Sequence, residues 1–259
     1  MFTDYLQAAQ NAALQGAEVL EGWRGRFSAR EKGRADLVTE ADLASQIAVR
    51  EFLLGQFPDH AFLGEEDGPN QARPAPGAPP TWIVDPIDGT TNYVHDVPCY
   101  CVSVGLEIAG ELVVGVVYDP RQREMFAAAK GMGATLNGLP LRTSATSVLG
   151  EALLSTGFPP DMVGQTHQLD WWQVLSYKAQ SLRRTGSTAL NLAYVAAGRF
   201  DGYWGFDNNA WDVAGGVVLV REAGGIVTGL DGGAYDWHRK PCLATNGPLH
   251  PVLVSTLNK

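Results

Sequence analysis

Trp82-Ile83-Val84-Asp85-Pro86-Ile87-Asp88-Gly89-Thr90-Thr91-Asn92 governs how the rest of the chain is read. Apolar residues lead in, as in a buried strand, and the chain then meets Asp85-Pro86. Proline lacks a backbone N–H and pushes the residue before it toward extended geometry, so the strand is expected to end there. Asp85 and Asp88 then lie on a short turn, where both carboxylates can face one point. Gly89-Thr90-Thr91 suits the opening of a helix, whose unpaired backbone N–H groups attract anions, phosphate above all. Carboxylates beside an anion site repel the anion unless a cation lies between them. A divalent metal bridging Asp85, Asp88 and a substrate phosphate satisfies this. An Asp-rich turn closing a strand fits the same residues.

Upstream, Leu6, Ala9, Ala13, Ala17 and Leu20 recur at helical spacing within residues 4–22, and Gly22 and Gly25 stop the helix. Leu37-Val38 is a short strand fragment. Thr39 is placed as the N-cap of a second helix, which Ile47, Val49, Phe52, Leu53 and Phe57 carry to Pro58. Asp42 falls in its first turn, where an acid meets the positive end of the helix dipole without needing any chemistry. Ala61-Phe62-Leu63 is a buried strand ending at Gly64-Glu65-Glu66-Asp67-Gly68. Such acids make a solvated turn, or stand where ligands collect in α/β sheets. Residues 69–80, dominated by Pro, Ala and Gly, are expected to form a mobile surface loop.

Downstream, residues 101–109 and 111–118 form two apolar runs around Ala109-Gly110, a hairpin signal. Residues 124–129 and 131–138 continue in the same style, with Asn137-Gly138 closing a tight turn. From about residue 146 the pattern changes. Strands at 153–156, 181–184, 200–204 and 226–227 alternate with helices at 166–180, 186–197 and 211–223. The first half (1–145) therefore combines helices with an antiparallel sheet, the second (146–259) is α/β, and the whole is expected to form a single domain.

The chain has 259 residues, 45% of them hydrophobic and 18% charged, which suits a globular protein with a substantial core. A formal net charge of −9 with no basic stripe argues against a nucleic-acid polymer as partner. No apolar run is long enough to span a bilayer, and Met1-Phe2-Thr3-Asp4-Tyr5 lacks the layout of a signal peptide. Cys99, Cys101 and Cys242 read as reduced thiols in small core positions, so a cytoplasmic location is expected.

Gly64-Glu65-Glu66, the stretch from Trp82 to Asn92, and Trp211-Asp212-Val213-Ala214-Gly215 together resemble the inositol monophosphatase family. Leu37-Val38-Thr39-Glu40-Ala41-Asp42 and Gly186-Ser187-Thr188-Ala189-Leu190-Asn191 resemble further elements of that family in the same order, so the likeness spans nearly the whole chain. It implies a five-layer α-β-α-β-α sandwich of the inositol monophosphatase and fructose-1,6-bisphosphatase type. It also implies Mg²⁺-dependent hydrolysis of a small phosphate monoester, with lithium sensitivity and a homodimer as one assembly. Carried onto this chain, Glu65, Asp85 and the carbonyl of Ile87 would hold one Mg²⁺, and Asp85, Asp88 and Asp212 a second. Glu65 would help a weaker third. Gly89 and Thr90 would offer N–H groups to the phosphate, with Gly186, Ser187 and Thr188 lining the substrate side. The Thr90 hydroxyl, oriented by Asp42, would position and help deprotonate the attacking water, with Glu65 also at the reacting centre.

One position departs from the pattern. Inositol-directed members are expected to carry a Glu seven residues before the Asp of Trp-Asp, and here that residue is Gly205. Its absence implies a permissive phosphatase, and Gly205→Glu is expected to sharpen preference for inositol phosphate. Histidinol phosphate, fructose bisphosphate and nucleotide 3′-phosphate remain alternative substrates on this scaffold. A phosphometabolite-binding protein that had lost the chemistry would show substitutions at Thr90, Asp42 or a metal acid, and all are present.

Overall fold

The computed structural model describes residues 2–33, 36–68, 77–159, 161–164 and 166–258. Helix α1 (Phe2–Trp23) buries the stripe Ala8, Ala9, Ala12, Ala13, Ala17 and Leu20. A small hairpin, β1 (Arg30–Gly33) and β2 (Asp36–Val38), leads to α2 (Glu40–Gln56). Thr39 caps α2 as expected: its backbone is extended and its hydroxyl accepts from Ala41 N. Most of the expected loop at 69–80 lies outside the described residues.

A seven-stranded sheet follows: β3 (Ala61–Gly64), β4 (Thr81–Asp88), β5 (Cys101–Ile108), β6 (Glu111–Asp119), β7 (Glu124–Ala129), β8 (Ala134–Leu136) and β9 (Leu139–Pro140), paired in that order. Only β3 and β4 are parallel, a pairing the antiparallel expectation did not contain. The short helix α3 (Thr90–Val94) joins β4 to β5. Positive φ at Ala109 and Gly110, and again at Asn137 and Gly138, closes the two expected tight turns.

The second sheet contains β10 (Leu153–Gly157), β11 (Ser181–Arg183), β12 (Gly202–Gly205), β13 (Ile226–Thr228) and β14 (Cys242–Thr245), in the order β11-β10-β12-β14-β13. The strands β10, β11 and β12 run parallel, while β14 is antiparallel to both its neighbours. Between the sheets lie α5 (Thr188–Ala196) and α6 (Ala210–Glu222); α4 (Thr166–Ser176) and α7 (His250–Leu257) cover the outer face of the second sheet. With α1 and α2 on the outer face of the first sheet, the layers run α-β-α-β-α. Helix α4 stops at Ser176, short of the expected 180, because Lys178 and Ala179 both turn their N–H groups back to Leu175 O. Both β14 and α7 lie beyond the elements expected from the sequence.

Two details of packing place the acidic residues. A Cβ at Gly105 would lie 2.6 Å from Ala214 Cβ, and one at Gly115 would lie 2.2 Å from Gly215 O. Glycine at these paired positions lets α6 press onto the large sheet and brings Asp212 to the end of β4. The second detail is a correction: β4 does not end at Asp85-Pro86 but continues to Asp88. Asp85 pairs with Ser103 and Asp88 with Cys101, three residues against two, so β4 carries a bulge at Pro86. On the other side, β3 pairs no further than Val84, so the N–H that proline lacks is not needed.

That extra residue changes which side each acid faces. Strict alternation would put Asp85 and Asp88 on opposite faces of the sheet. With the bulge, Trp82, Val84 and Ile87 face α1 and α2. Ile83 faces α5 and α6, and both aspartates meet groups from that side.

Candidate active site

Asp85, Asp88, Glu65 and Asp212 come together at the end of β4. Asp85 and Asp88 are buried, at 2% and 8% exposure. Glu65 opens the short turn after β3, and Asp212 lies in the first turn of α6. Asp88 is the most heavily braced. It accepts from Ser187 Oγ at 2.6 Å, from Ala189 N at 2.5 Å and from Thr188 N at 3.2 Å, so it closes the N-terminus of α5. The Ser187 hydroxyl is thereby committed to Asp88 and also caps α5 by accepting from Leu190 N. Asp85 Oδ1 accepts from Ile87 N at 3.0 Å, and Asp212 Oδ2 accepts from Asn209 N at 2.7 Å.

Burial pushes all four carboxyl groups above their ordinary range, because a charge in a poorly hydrated site is costly. Glu65 is pushed up to about 7, with Glu66 adding to burial and Lys32 opposing it. Asp85 lies well above the usual range through burial and then the charges of Glu65, Asp88 and Asp212. Asp212 is raised similarly by burial, Asp88 and Glu65. Asp88 rises less far, since burial is offset by the bonds from Ser187, Ala189, Thr188 and Cys101.

Thr90 begins α3 directly after Gly89, whose left-handed backbone (φ 103°) forms the N-cap. A Cβ at Gly89 would meet Cys99 O at 2.9 Å, so glycine is required there twice over. Thr90 Oγ1 lies 3.2 Å from Asp42 Oδ1 and 3.0 Å from Ile87 O. Asp42 therefore has two functions. Its Oδ2 accepts from the Thr39 backbone N at 2.7 Å and from Thr39 Oγ1 at 2.6 Å, closing a capping box, while Oδ1 turns to Thr90. Burial lifts Asp42 to about 6 against the opposing bonds from Thr39.

A cavity of about 220 Å³ opens beside these acids, lined among others by Glu65, Asp88, Gly186, Thr188, Asn208 and Asp212. Past Phe158 and Gly186 it adjoins a second space of about 490 Å³, which Arg184, Thr91 and Asn92 line. Lys32 of β1, absent from the expected site, places its ammonium 3.1 Å from Glu65 Oε1 and also against Glu66. Burial alone would lower the Lys32 pKa, but the two glutamates outweigh it and keep the lysine charged. Asp36 and Asp207 also line the cavity, and Asp207 pairs with Lys240. In sequence Lys32 is one of three cations, with Arg30 and Arg34, in a polar stretch just before the acidic elements, too common a feature to single out.

As they stand, no three His, Cys, Asp or Glu side chains among the described residues converge closely enough to hold a metal ion. The chemistry of the donor set nonetheless fits a hard cation. The groups are carboxylates plus the Ile87 carbonyl, and the one thiol in contact, Cys101, is kept protonated by burial.

Gly205, where the expected glutamate is missing, is closely packed. It is the buried last residue of β12, and a Cβ there would come 2.4 Å from the Tyr203 hydroxyl and 2.6 Å from Asn208 Nδ2. A glutamate cannot enter without displacing both, which corrects the expectation that Gly205→Glu simply sharpens inositol preference. Gly205→Ala should lower stability by about 1–3 kcal/mol through overpacking. Thermal unfolding should show a loss of several degrees, and an unchanged midpoint would mean that the neighbours yield freely.

The five-layer frame with buried carboxylates beside a helix N-terminus is shared with phosphoric monoester hydrolases. The chain belongs to the inositol monophosphatase family, whose model matches residues 3–259. It is 44% identical over 256 residues to an inositol-1-monophosphatase of Synechocystis, covering 98% of this chain and 88% of the relative. Among solved structures, an inositol monophosphatase from Anabaena matches with 40% identity and a TM-score of 0.88, covering 99% of this chain and 96% of its own. The extragenic suppressor protein suhB of Bartonella henselae matches with 35% identity and a TM-score of 0.92, covering 99% of each.

Proposed function

We propose that this hydrolase acts on small phosphate monoesters of the inositol monophosphate kind and requires Mg²⁺. The carrying observation is the set of four buried carboxyl groups, all raised above their ordinary range, beside the N-terminus of α3. Ionised together without a cation, they would repel one another and any phosphate. Glu65, Asp85, the Ile87 carbonyl, Asp88 and Asp212 would hold two or three Mg²⁺ ions. When bound, these would neutralise the phosphate, lower the pKa of the attacking water and stabilise the departing alkoxide. The Gly89 and Thr90 N–H groups bind phosphate oxygen at the start of α3, with Gly186 and Thr188 on the facing wall. With Asp42 ionised, the Thr90 hydroxyl donates to Asp42 Oδ1 and keeps its lone pairs free to hold the attacking water. Asp42 thus orients Thr90 and draws off proton density. Ser187 acts one step back, fixing Asp88.

Solved neighbours support the substrate class. A neighbour named SaIMPase-II, 26% identical, is described with bound inositol monophosphate, and an IMPase/NADP phosphatase with NADP and Ca²⁺. A staphylococcal inositol monophosphatase soaked in LiCl is described as an inhibitory complex. Chelation should abolish phosphate release from inositol 1-phosphate, and Mg²⁺ should restore it. Millimolar Li⁺ should inhibit in an uncompetitive-like manner. Full activity in excess chelator would overturn the metal assignment.

A further inference from the structure

We propose that Thr188 Oγ1 accepts a hydrogen bond from a hydroxyl of the substrate's alcohol, and that the buried Tyr203 hydroxyl sets it in that state. This rests on the phosphatase function proposed above and specifies how the same cavity selects its substrate.

The assignment follows from a chain of hydrogen bonds whose direction is fixed at one end. Asn208 Nδ2 lies 3.1 Å from the backbone carbonyl of Lys240, which can only accept, so the amide nitrogen faces that way. Asn208 Oδ1 then faces Tyr203, whose hydroxyl donates to it at 2.7 Å. That donation uses the only proton on the Tyr203 hydroxyl, and burial keeps the phenol protonated. The contact between Thr188 Oγ1 and Tyr203 Oη, at 3.2 Å, therefore has Thr188 as the donor. Its proton spent inward, Thr188 Oγ1 presents only lone pairs to the cavity that it lines.

The frame around these groups is rigid. The Thr188 backbone N–H is held by Asp88 Oδ1, and Tyr203 is fully buried. Gly157 and Gly205 are register partners on adjacent parallel strands. A Cβ at either would crowd the Tyr203 hydroxyl, at 3.1 Å and 2.4 Å respectively. Two glycines side by side thus make the seat that the phenol fills. A glutamate at position 205 would offer a charged acceptor; here the seat holds Tyr203, and a neutral acceptor stands at Thr188. A neutral hydrogen bond discriminates by less than a charged one, so selectivity for a hydroxyl-bearing alcohol should be real but moderate.

The test compares myo-inositol 1-phosphate with p-nitrophenyl phosphate, which has no hydroxyl, in the presence of Mg²⁺. The readout is the ratio of their kcat/KM values for wild type, Thr188→Val, Thr188→Ser, Tyr203→Phe and the Tyr203→Phe/Thr188→Val double variant. Thr188→Val should lower the ratio about threefold to tenfold, chiefly through KM for the inositol phosphate, and Thr188→Ser should retain the wild-type ratio. Tyr203→Phe should lower it about twofold to fivefold, and the double variant should match Thr188→Val alone. A ratio unmoved by Thr188→Val overturns the acceptor, whether or not the Tyr203 variants fold. A Tyr203→Phe effect that persists undiminished without the Thr188 hydroxyl overturns the positioning role. Wild-type protein that hydrolyses neither ester overturns the phosphatase reading itself, and this inference with it.

Discussion

Asp85→Asn is expected to lower phosphate release by at least about a thousandfold, the scale of losing several kcal/mol of charge stabilisation at the reacting phosphate. The same variant should behave in the opposite sense in a folding experiment. Asp85 is buried among Glu65, Asp88 and Asp212, and its carboxyl is raised well above the ordinary range. A carboxyl whose folded pKa exceeds its unfolded value stabilises the fold below the unfolded pKa, and that contribution is lost as pH rises through the folded pKa. Without metal, wild-type protein should therefore lose stability as these carboxyls ionise, and Glu65, lifted to about 7, places part of that loss between pH 5 and pH 8. Asparagine carries no charge at either pH, so metal-free Asp85→Asn should melt at or above the wild-type temperature at pH 8, by several degrees. Adding Mg²⁺ should raise the wild-type midpoint far more than that of the variant, reversing their order. A variant that turns over near the wild-type rate, or that melts well below metal-free wild type at pH 8, would remove Asp85 from the centre of the site.

Thr90→Ala should reduce kcat by about 10²–10⁴-fold, the range for losing a positioned proton-transfer group. KM should change little, because the Gly89 and Thr90 backbone N–H groups remain. Thr90→Ser, which keeps the hydroxyl between Asp42 and Ile87, should recover most of the rate. Asp42→Asn should follow Thr90→Ala in direction, with an added stability loss of about 1 kcal/mol because Asp42 also closes the α2 capping box. The pH profile supplies a second readout. Asp42 is lifted to about 6, so wild-type kcat should climb as pH rises through that region and Asp42 ionises. That limb should move or flatten in Asp42→Asn. A Thr90→Ala protein with normal kcat and raised KM would assign the hydroxyl to binding alone.

Much of this was legible in the sequence because it depends on local chemistry. The alternation of strands and helices, the Thr39 cap, the turns at Ala109-Gly110 and Asn137-Gly138 and the start of a helix at Thr90 follow from propensity, capping and backbone freedom. The acids were also visible, since residue type and order carried the family resemblance. The parallel pairing of β3 with β4 was not, because pairing direction depends on where the chain returns. The strand β14 is four residues long and α7 starts after Leu249 without a side-chain cap, so neither carries a strong local signal.

The sequence by itself determined which residues are available: Glu65, Asp85, Asp88, Asp212, Thr90 and Asp42, on elements whose type local propensity fixes. Only the tertiary structure decided what they do together. A bulge at Pro86, invisible as a parity change in a list of residues, turns Asp85 and Asp88 to the same face of the sheet. Close approach through Gly105 and Gly115 brings Asp212 to them from more than a hundred residues away. Position 205 shows the limit most sharply. In sequence it is a missing glutamate. In space it is the floor beneath the Tyr203 hydroxyl, because the volume a side chain leaves is filled by whichever neighbour packs into it.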